Sequence, residues 1–162
     1  MKIWLVTVLV MGMLCGCSTQ ETWETVADEW IQPVMVEKQQ LLVNLPPEAA
    51  LEVVESDAGT VYSCQDYDIY LETWASGDMN STIRKLTGFD RADLTVMETA
   101  TPDWTRYDFV WVSASEAGDR MGRAVILDDG NFHYCLSALG DADKADLFRD
   151  VWQELFGSVA LG

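Results

Sequence analysis

Apolar residues recur every three or four positions in three stretches of this chain, and they alternate in twos through much of the rest. Trp23, Val26, Ala27, Trp30 and Ile31 lie at helical spacing. They predict an amphipathic helix over 20–32, stopped by Pro33. Met79, Ile83 and Leu86 predict a second helix that starts at Gly77-Asp78, with Asp78 as N-cap and Gly88 as C-cap. Leu147, Phe148, Val151, Trp152, Leu155 and Phe156 make the broadest stripe, a closing helix near 142–156. Asp141 or Asp143 is expected to cap it, where negative charge suits the helix dipole.

Period-two stretches predict the strands. Val34–Leu45 reads as a strand ended by Pro46-Pro47, and 48–55 as a short helix or loop. Val61–Cys64 and Tyr67–Trp74 read as a hairpin turning at Gln65-Asp66. Leu94–Thr99 is the next strand. In Trp104–Ala114, Tyr107, Phe109 and Trp111 alternate with Asp108, Val110 and Val112. Both sets beyond Asp108 are apolar, which predicts a central strand covered on both faces. Arg120–Leu127 and Phe132–Leu139 form a hairpin around Asp128-Asp129-Gly130-Asn131. Consecutive hairpins with few helices give an α+β class: an antiparallel sheet of about five to six strands with helices packed on it. The order of hairpin, helix, meander and closing helix over 34–160 resembles the PsbP/Mog1-like fold. That resemblance implies a scaffold with several unrelated non-enzymatic roles, which also occurs in small bacterial lipoproteins; a fold does not by itself fix a function.

The first seventeen residues carry the most specific signal. Lys2 is a minimal positive region, and Ile3–Leu14 is an apolar run broken by Thr7 and Gly12. The run is too short to span a bilayer, which needs about 20 residues, and suits an export signal. Leu14-Cys15-Gly16-Cys17 follows. This resembles the lipobox of bacterial lipoproteins, which implies cleavage after Gly16 and a diacylglyceryl group on the Cys17 sulfur. The expected organisation is a signal peptide (1–16), a lipidated N-terminus with its amphipathic helix (17–33) and one globular domain (34–162). Two acyl chains make a stable anchor where one would be marginal. The expected place is therefore the extracytoplasmic face of the cell membrane. Ser18, in place of Asp, resembles the outer-membrane default if the host has such a membrane.

Charge then narrows the partners. The formal net charge is −17, and removing residues 1–16 takes away only Lys2, which deepens it by one. Such a body repels nucleic acid and anionic lipid headgroups, so no nucleic-acid partner is expected. For the same reason the acidic polar face of 20–32 (Glu21, Glu24, Asp28 and Glu29) favours packing on the domain over lipid contact. Cys64 and Cys135 remain after Cys15 is cleaved and Cys17 lipidated. Export permits a disulfide between them, worth about 4 kcal/mol for so long a loop. Two buried thiols acting as small hydrophobes is the alternative.

Catalytic chemistry is thinly supplied. His133 is the one histidine, inside a strand pattern beside Phe132 and Tyr134. A catalytic role needs a nucleophile and an orienting acid beside it, and no Gly-x-Ser-x-Gly motif supplies the first. The Asp141, Asp143 and Asp146 run fails the EF-hand pattern, since Ala145 and Trp152 fall where ligands are needed. With 27 acidic residues, chance carboxylate pairs are inevitable and carry no weight for a glycosidase. No cofactor and no metal site is expected. Tyr62, Tyr70, Trp74 and Trp104 could line an aromatic pocket or fill the core. The sequence therefore reads as a non-catalytic, lipid-anchored envelope protein with a binding or assembly role. Its partner would be another envelope protein or a small ligand. The alternatives are a lipid-anchored hydrolase using carboxylates or His133, and a small-ligand-binding lipoprotein.

Overall fold

A computed structural model of the chain describes residues 36–50, 52–56, 59–114 and 116–162. The leader, Cys17 and the expected helix over 20–32 lie outside the described residues. The elements in order are β1 (Leu41–Leu42), β2 (Val53–Ser56), β3 (Gly59–Ser63), β4 (Tyr67–Ala75), α1 (Met79–Thr87), β5 (Met97–Ala100), β6 (Thr105–Ser113), β7 (Arg120–Asp128), β8 (Phe132–Asp141), α2 (Ala145–Gly157) and β9 (Ala160–Leu161). Seven strands form one antiparallel sheet in the order β2-β3-β4-β8-β7-β6-β5, and β1 pairs with β9 in a separate ribbon. The class is α+β, as expected, with more strands than the sequence pattern counted.

Side chains on successive strand residues point to opposite faces, so the sheet has two cores. On one face Tyr67, Ile69, Val125, Leu127, Tyr134, Leu136 and Ala138 meet Phe148, Trp152, Leu155 and Phe156 of α2. Leu41, Val43, Leu45 and Ala49 close the same core from the N-terminal side. On the other face Tyr107, Phe109, Trp111, Ala124, Ile126 and Cys135 pack under Ile83 of α1. Gly122 makes room there: a Cβ at this position would collide with the Trp111 ring.

The predicted ends of α1 are both present. The Asp78 carboxylate accepts the Ser81 N–H at 3.0 Å. Gly88 takes φ 82°, and its N–H reaches the Arg84 carbonyl; that left-handed geometry favours glycine. Both predicted hairpins, β3–β4 and β7–β8, and the closing helix also stand where the periodicity put them, within a few residues at their ends.

Four expectations are corrected. Of the described part of the strand expected over 34–45, only Leu41–Leu42 is strand, paired with the two residues of β9, and Gln40 extends the pairing by exchanging backbone hydrogen bonds with Gly162. The region read as helix or loop over 48–55 is a 3₁₀ turn, Pro47–Ala50, followed by strand β2. Strand β6 is not central: β8 is, flanked by β4 and β7, and β6 has only β5 outside it. Its Tyr107, Phe109 and Trp111 are buried, but Val110 and Val112 are 58% and 54% exposed. Finally, no aspartate side chain caps α2. Asp141 instead pairs with Lys144, which also binds Asp66.

Candidate functional site

His133 lies in β8, opposite Trp74 of β4 and Asp128 of β7, and faces α1. It is fully buried. Its Nδ1 lies 2.8 Å from the Thr82 hydroxyl, and its Nε2 lies 3.2 Å from the Ser76 hydroxyl. Ser76 also donates to Asp128 at 3.2 Å, whose other oxygen is 3.6 Å from Nε2. Serine, histidine and aspartate are thus together, but not in hydrolase order. A catalytic histidine uses Nδ1 to bind the orienting acid and Nε2 to take the nucleophile's proton. Here the acid and Ser76 share the Nε2 side, and a threonine holds Nδ1. The imidazole bolts β8 to the first turns of α1, satisfying polar atoms whose burial would otherwise be costly.

The cysteines are separated by the sheet register. Cys64 follows β3 and bonds Tyr67 through the backbone, while Cys135 stands opposite Glu72. Five residues along β4 at about 3.3 Å each put them far beyond the ~7 Å that a disulfide spans. Both are free thiols. Burial pushes both thiol pKa values up, which suppresses the reactive thiolate.

The acidic clusters serve the backbone. Asp129 accepts the Asn131 and Phe132 N–H groups at 2.8 and 2.7 Å, and its second oxygen accepts the Tyr134 hydroxyl at 3.0 Å. Burial alone would raise its carboxyl pKa, but these hydrogen bonds outweigh burial and hold it below the usual range. Asp128 accepts the Gly130 N–H. Among the described residues no cluster of His, Cys, Asp or Glu is placed to hold a metal. The four aromatic residues set aside for a pocket are divided. Tyr62 and Trp104 pack on the α2 core, Trp74 joins the α1 core, and Tyr70 lies one position out of phase with Tyr62's partner Ile69.

What the described surface does offer is a groove between α2 and the bare part of the sheet. It has a volume of about 270 Å³ and is lined by Val110, Met121, Arg123, Ala145, Arg149 and Trp152. Ala145, Arg149 and Trp152 are four and three residues apart, so they share one side of α2. Val110 stands opposite Arg123, and Val112 opposite Met121, which places all four on the same face. Met97 of β5, opposite Asp108, extends this apolar strip and is 65% exposed. The periodicity named Val110 and Val112 but buried them; only the sheet order leaves them open.

The groove's charges are specific. The Arg106 guanidinium is used internally, holding Asp108 at 2.6 Å and the Phe156 carbonyl at 2.8 Å. Arg123 lies over the Phe156 ring at 4.6 Å and makes no hydrogen bond or ion pair among the described residues. Burial lowers its pKa and Asp108 partly restores it. Arg149 is exposed and pairs with Asp146.

No family model and no curated protein matches the chain. Solved structures do resemble it. The solution structure of cyanobacterial PsbP (CyanoP) from Synechocystis sp. PCC 6803 is similar at TM-score 0.50 and 8% identity, over 75% of this chain and 82% of that one. LpqN of Mycobacterium tuberculosis, described as involved in cell envelope biogenesis, is similar at TM-score 0.49 and 12% identity, over 76% and 84%. A protein from Bacteroides thetaiotaomicron gives 0.46 and 12%, over 75% and 45%. At these identities the likeness concerns architecture, and the described domain has the fold of PsbP-like proteins.

Proposed function

We propose that this chain is a non-catalytic, lipid-anchored protein of the cell envelope that works by binding, with the groove beside α2 as its contact surface. The observation that carries the binding reading is the groove itself: an open, mainly apolar surface edged by guanidinium groups and holding no nucleophile. Contiguous exposed apolar surface of this kind marks interaction sites. The anchor rests on Leu14-Cys15-Gly16-Cys17, and the described residues contain no helix long and apolar enough to cross a membrane. The hydrolase alternative loses its best candidate, because His133 is sealed and its acid lies on the wrong nitrogen.

The test has two arms in intact cells. Labelled palmitate should enter the wild-type protein but not Cys17→Ser, which should leave the membrane fraction or persist as precursor. A photo-crosslinker at Val112 should form a discrete adduct with an envelope component, while one at Glu98, on the opposite face of the sheet, should not. Equal adducts at both positions, or none at Val112, would overturn the binding reading; an unmodified mature N-terminus would overturn the anchor.

A further inference from the structure

We infer that residues 36–45 form a releasable strap: they close one side of the α2 core and come away from it as a unit while the seven-stranded sheet stays folded. The inference goes beyond the binding reading above and does not rest on the groove. The strap lies outside the seven-stranded sheet. Its side chains alternate. Leu41, Val43 and Leu45 are half-buried on the α2 core, whereas Leu42 and Asn44 are exposed, and no residue of the strap is fully buried. Its backbone is held at few points. The Gln39 N–H donates to the Tyr134 hydroxyl at 3.0 Å. Gln40 and Gly162 exchange bonds at 3.0 Å, and Leu41–Leu42 pair with β9. The Asn44 N–H donates to the Ser158 hydroxyl at 2.9 Å. The Gln39 side chain adds an exposed bond to Asp129 at 3.2 Å. Strand β8, by contrast, is paired along its length with both β4 and β7.

Packing under the strap is incomplete. A cavity of about 170 Å³ lies where Asn44, Leu45 and Pro46 meet Val151, Glu154 and Leu155 of α2. Contacts that a filled core would supply are missing there. A segment with few buried apolar contacts and exposed backbone bonds opens locally, at less cost than global unfolding. The base of the strap is pinned instead. Ala49 is fully buried, its N–H bonds the Pro46 carbonyl, and the Glu48 carboxylate accepts the Tyr67 hydroxyl at 2.9 Å. The strap therefore has a fixed end at 46–49 and a lightly held end at Gln39. A pull on the chain from before Val36 loads the Gln39 and Gln40 bonds first and peels the strap toward its base. Release gives the domain a second, open form in which this side of α2 is bared.

Hydrogen exchange, read residue by residue on the full chain carrying Cys15→Ser and Cys17→Ser, tests the strap. The bonded amides of Gln39, Gln40 and Asn44 should exchange at least about a hundredfold faster than those of Ile126 and Leu136, at rates that low urea leaves unchanged. Leu42 and Ala160 stand opposite one another and are exposed. Cα atoms paired across antiparallel strands are about 4.5–5.5 Å apart, within disulfide reach. Oxidised Leu42→Cys with Ala160→Cys should slow the strap amides to the pace of the sheet, and reduction should restore their speed. Val43→Asp puts a charge under the strap. It should strip protection from the strap amides, leave β8 protected, and raise the fluorescence of the neutral apolar dye Nile red, a rise that the disulfide abolishes. Strap amides that exchange in step with Leu136, with the same urea dependence, would show a single cooperative unit and overturn the inference. So would a disulfide that leaves their exchange unchanged, or a Val43→Asp variant in which the sheet unfolds with the strap.

Discussion

Truncating Trp152 to alanine tests the claim that α2 is the main clasp of the domain. The indole is only 3% exposed. It stacks on Phe148 at 4.3 Å and 28°, and it meets Tyr67 at 6.0 Å and Phe156 at 6.1 Å, both edge-on. Removing a ring of this size from a core costs about 3–5 kcal/mol in lost transfer energy and cavity. Three aromatic contacts push the figure toward the upper end. One feature pulls it down: the Trp152 Nε1–H is buried with no acceptor among the described residues, and its removal relieves about 1–3 kcal/mol. The net expectation is about 2–4 kcal/mol. For the unit Val36–Gly162, an unfolding entropy of about 2.1 cal/mol/K per residue turns this into a Tm loss of roughly 7–15 °C. Trp152→Phe keeps a ring on Phe148 and discards the orphaned donor, so it should cost only about 1 kcal/mol. Thermal and urea melts by circular dichroism read both variants. A Tm loss under about 3 °C for the alanine variant would refute the clasp. A phenylalanine variant as unstable as alanine would show that the indole N–H has a partner after all.

Three further outcomes follow from the same geometry. His133→Ala should lower stability by about 2–4 kcal/mol, because it opens a cavity and strands the Thr82 hydroxyl, while Ser76 keeps its bond to Asp128; a urea double-mutant cycle with Thr82→Val should show coupling, and additive costs would contradict the shared bond. The Asp129 carboxyl is held below its ordinary value, so its contribution is complete above the unfolded carboxylate range and is lost as pH falls through the folded value. Melts should therefore steepen below about pH 4, and Asp129→Asn should flatten that acid limb; an unchanged limb would assign acid unfolding to other carboxylates. Alkylation followed by mass spectrometry should label Cys64 ahead of Cys135 in the native protein, both in urea, and find no peptide linked through the pair.

Local chemistry made much of the fold legible. Asp78 and Gly88 bound α1 because a capping side chain and a left-handed glycine act within four residues of the backbone they serve. The Asp128–Asn131 turn is equally local, since its aspartates bond N–H groups two and three positions on. What failed to read required partners distant in sequence. Val110 and Val112 have the same apolar side chains as a strand buried on both faces, and only the order β8-β7-β6-β5 decides that α2 does not reach them. Leu41–Leu42 depends in the same way on Leu161 and Ala160 at the far end of the chain. Strand β2 is four residues long, too short for a period to declare itself. Cys64 and Cys135 could not be judged by spacing, because their separation is set by the β4–β8 register.

The contrast between the two sheet faces bears on function. On the α1 face the polar atoms at the centre, His133, Ser76, Thr82 and Asp128, are spent on one another, and Trp111 closes over Gly122 at the far end. On the α2 face the internal pairs are also complete, but only as far as Arg106 and Asp108. Beyond them the strand continues with valines that no described residue covers, beside an arginine that the core does not pair. The exposed area of Val110 and Val112 forgoes stabilisation of about 25 cal/mol per Å² that covering it by another surface would supply. Apolar strand positions beside an arginine make physical sense if the surface is buried for part of its working life. The same surface would be a poor active site, because it has no group of useful basicity and no wall to exclude water. Apolar area with flanking guanidinium groups is suited to holding a second surface.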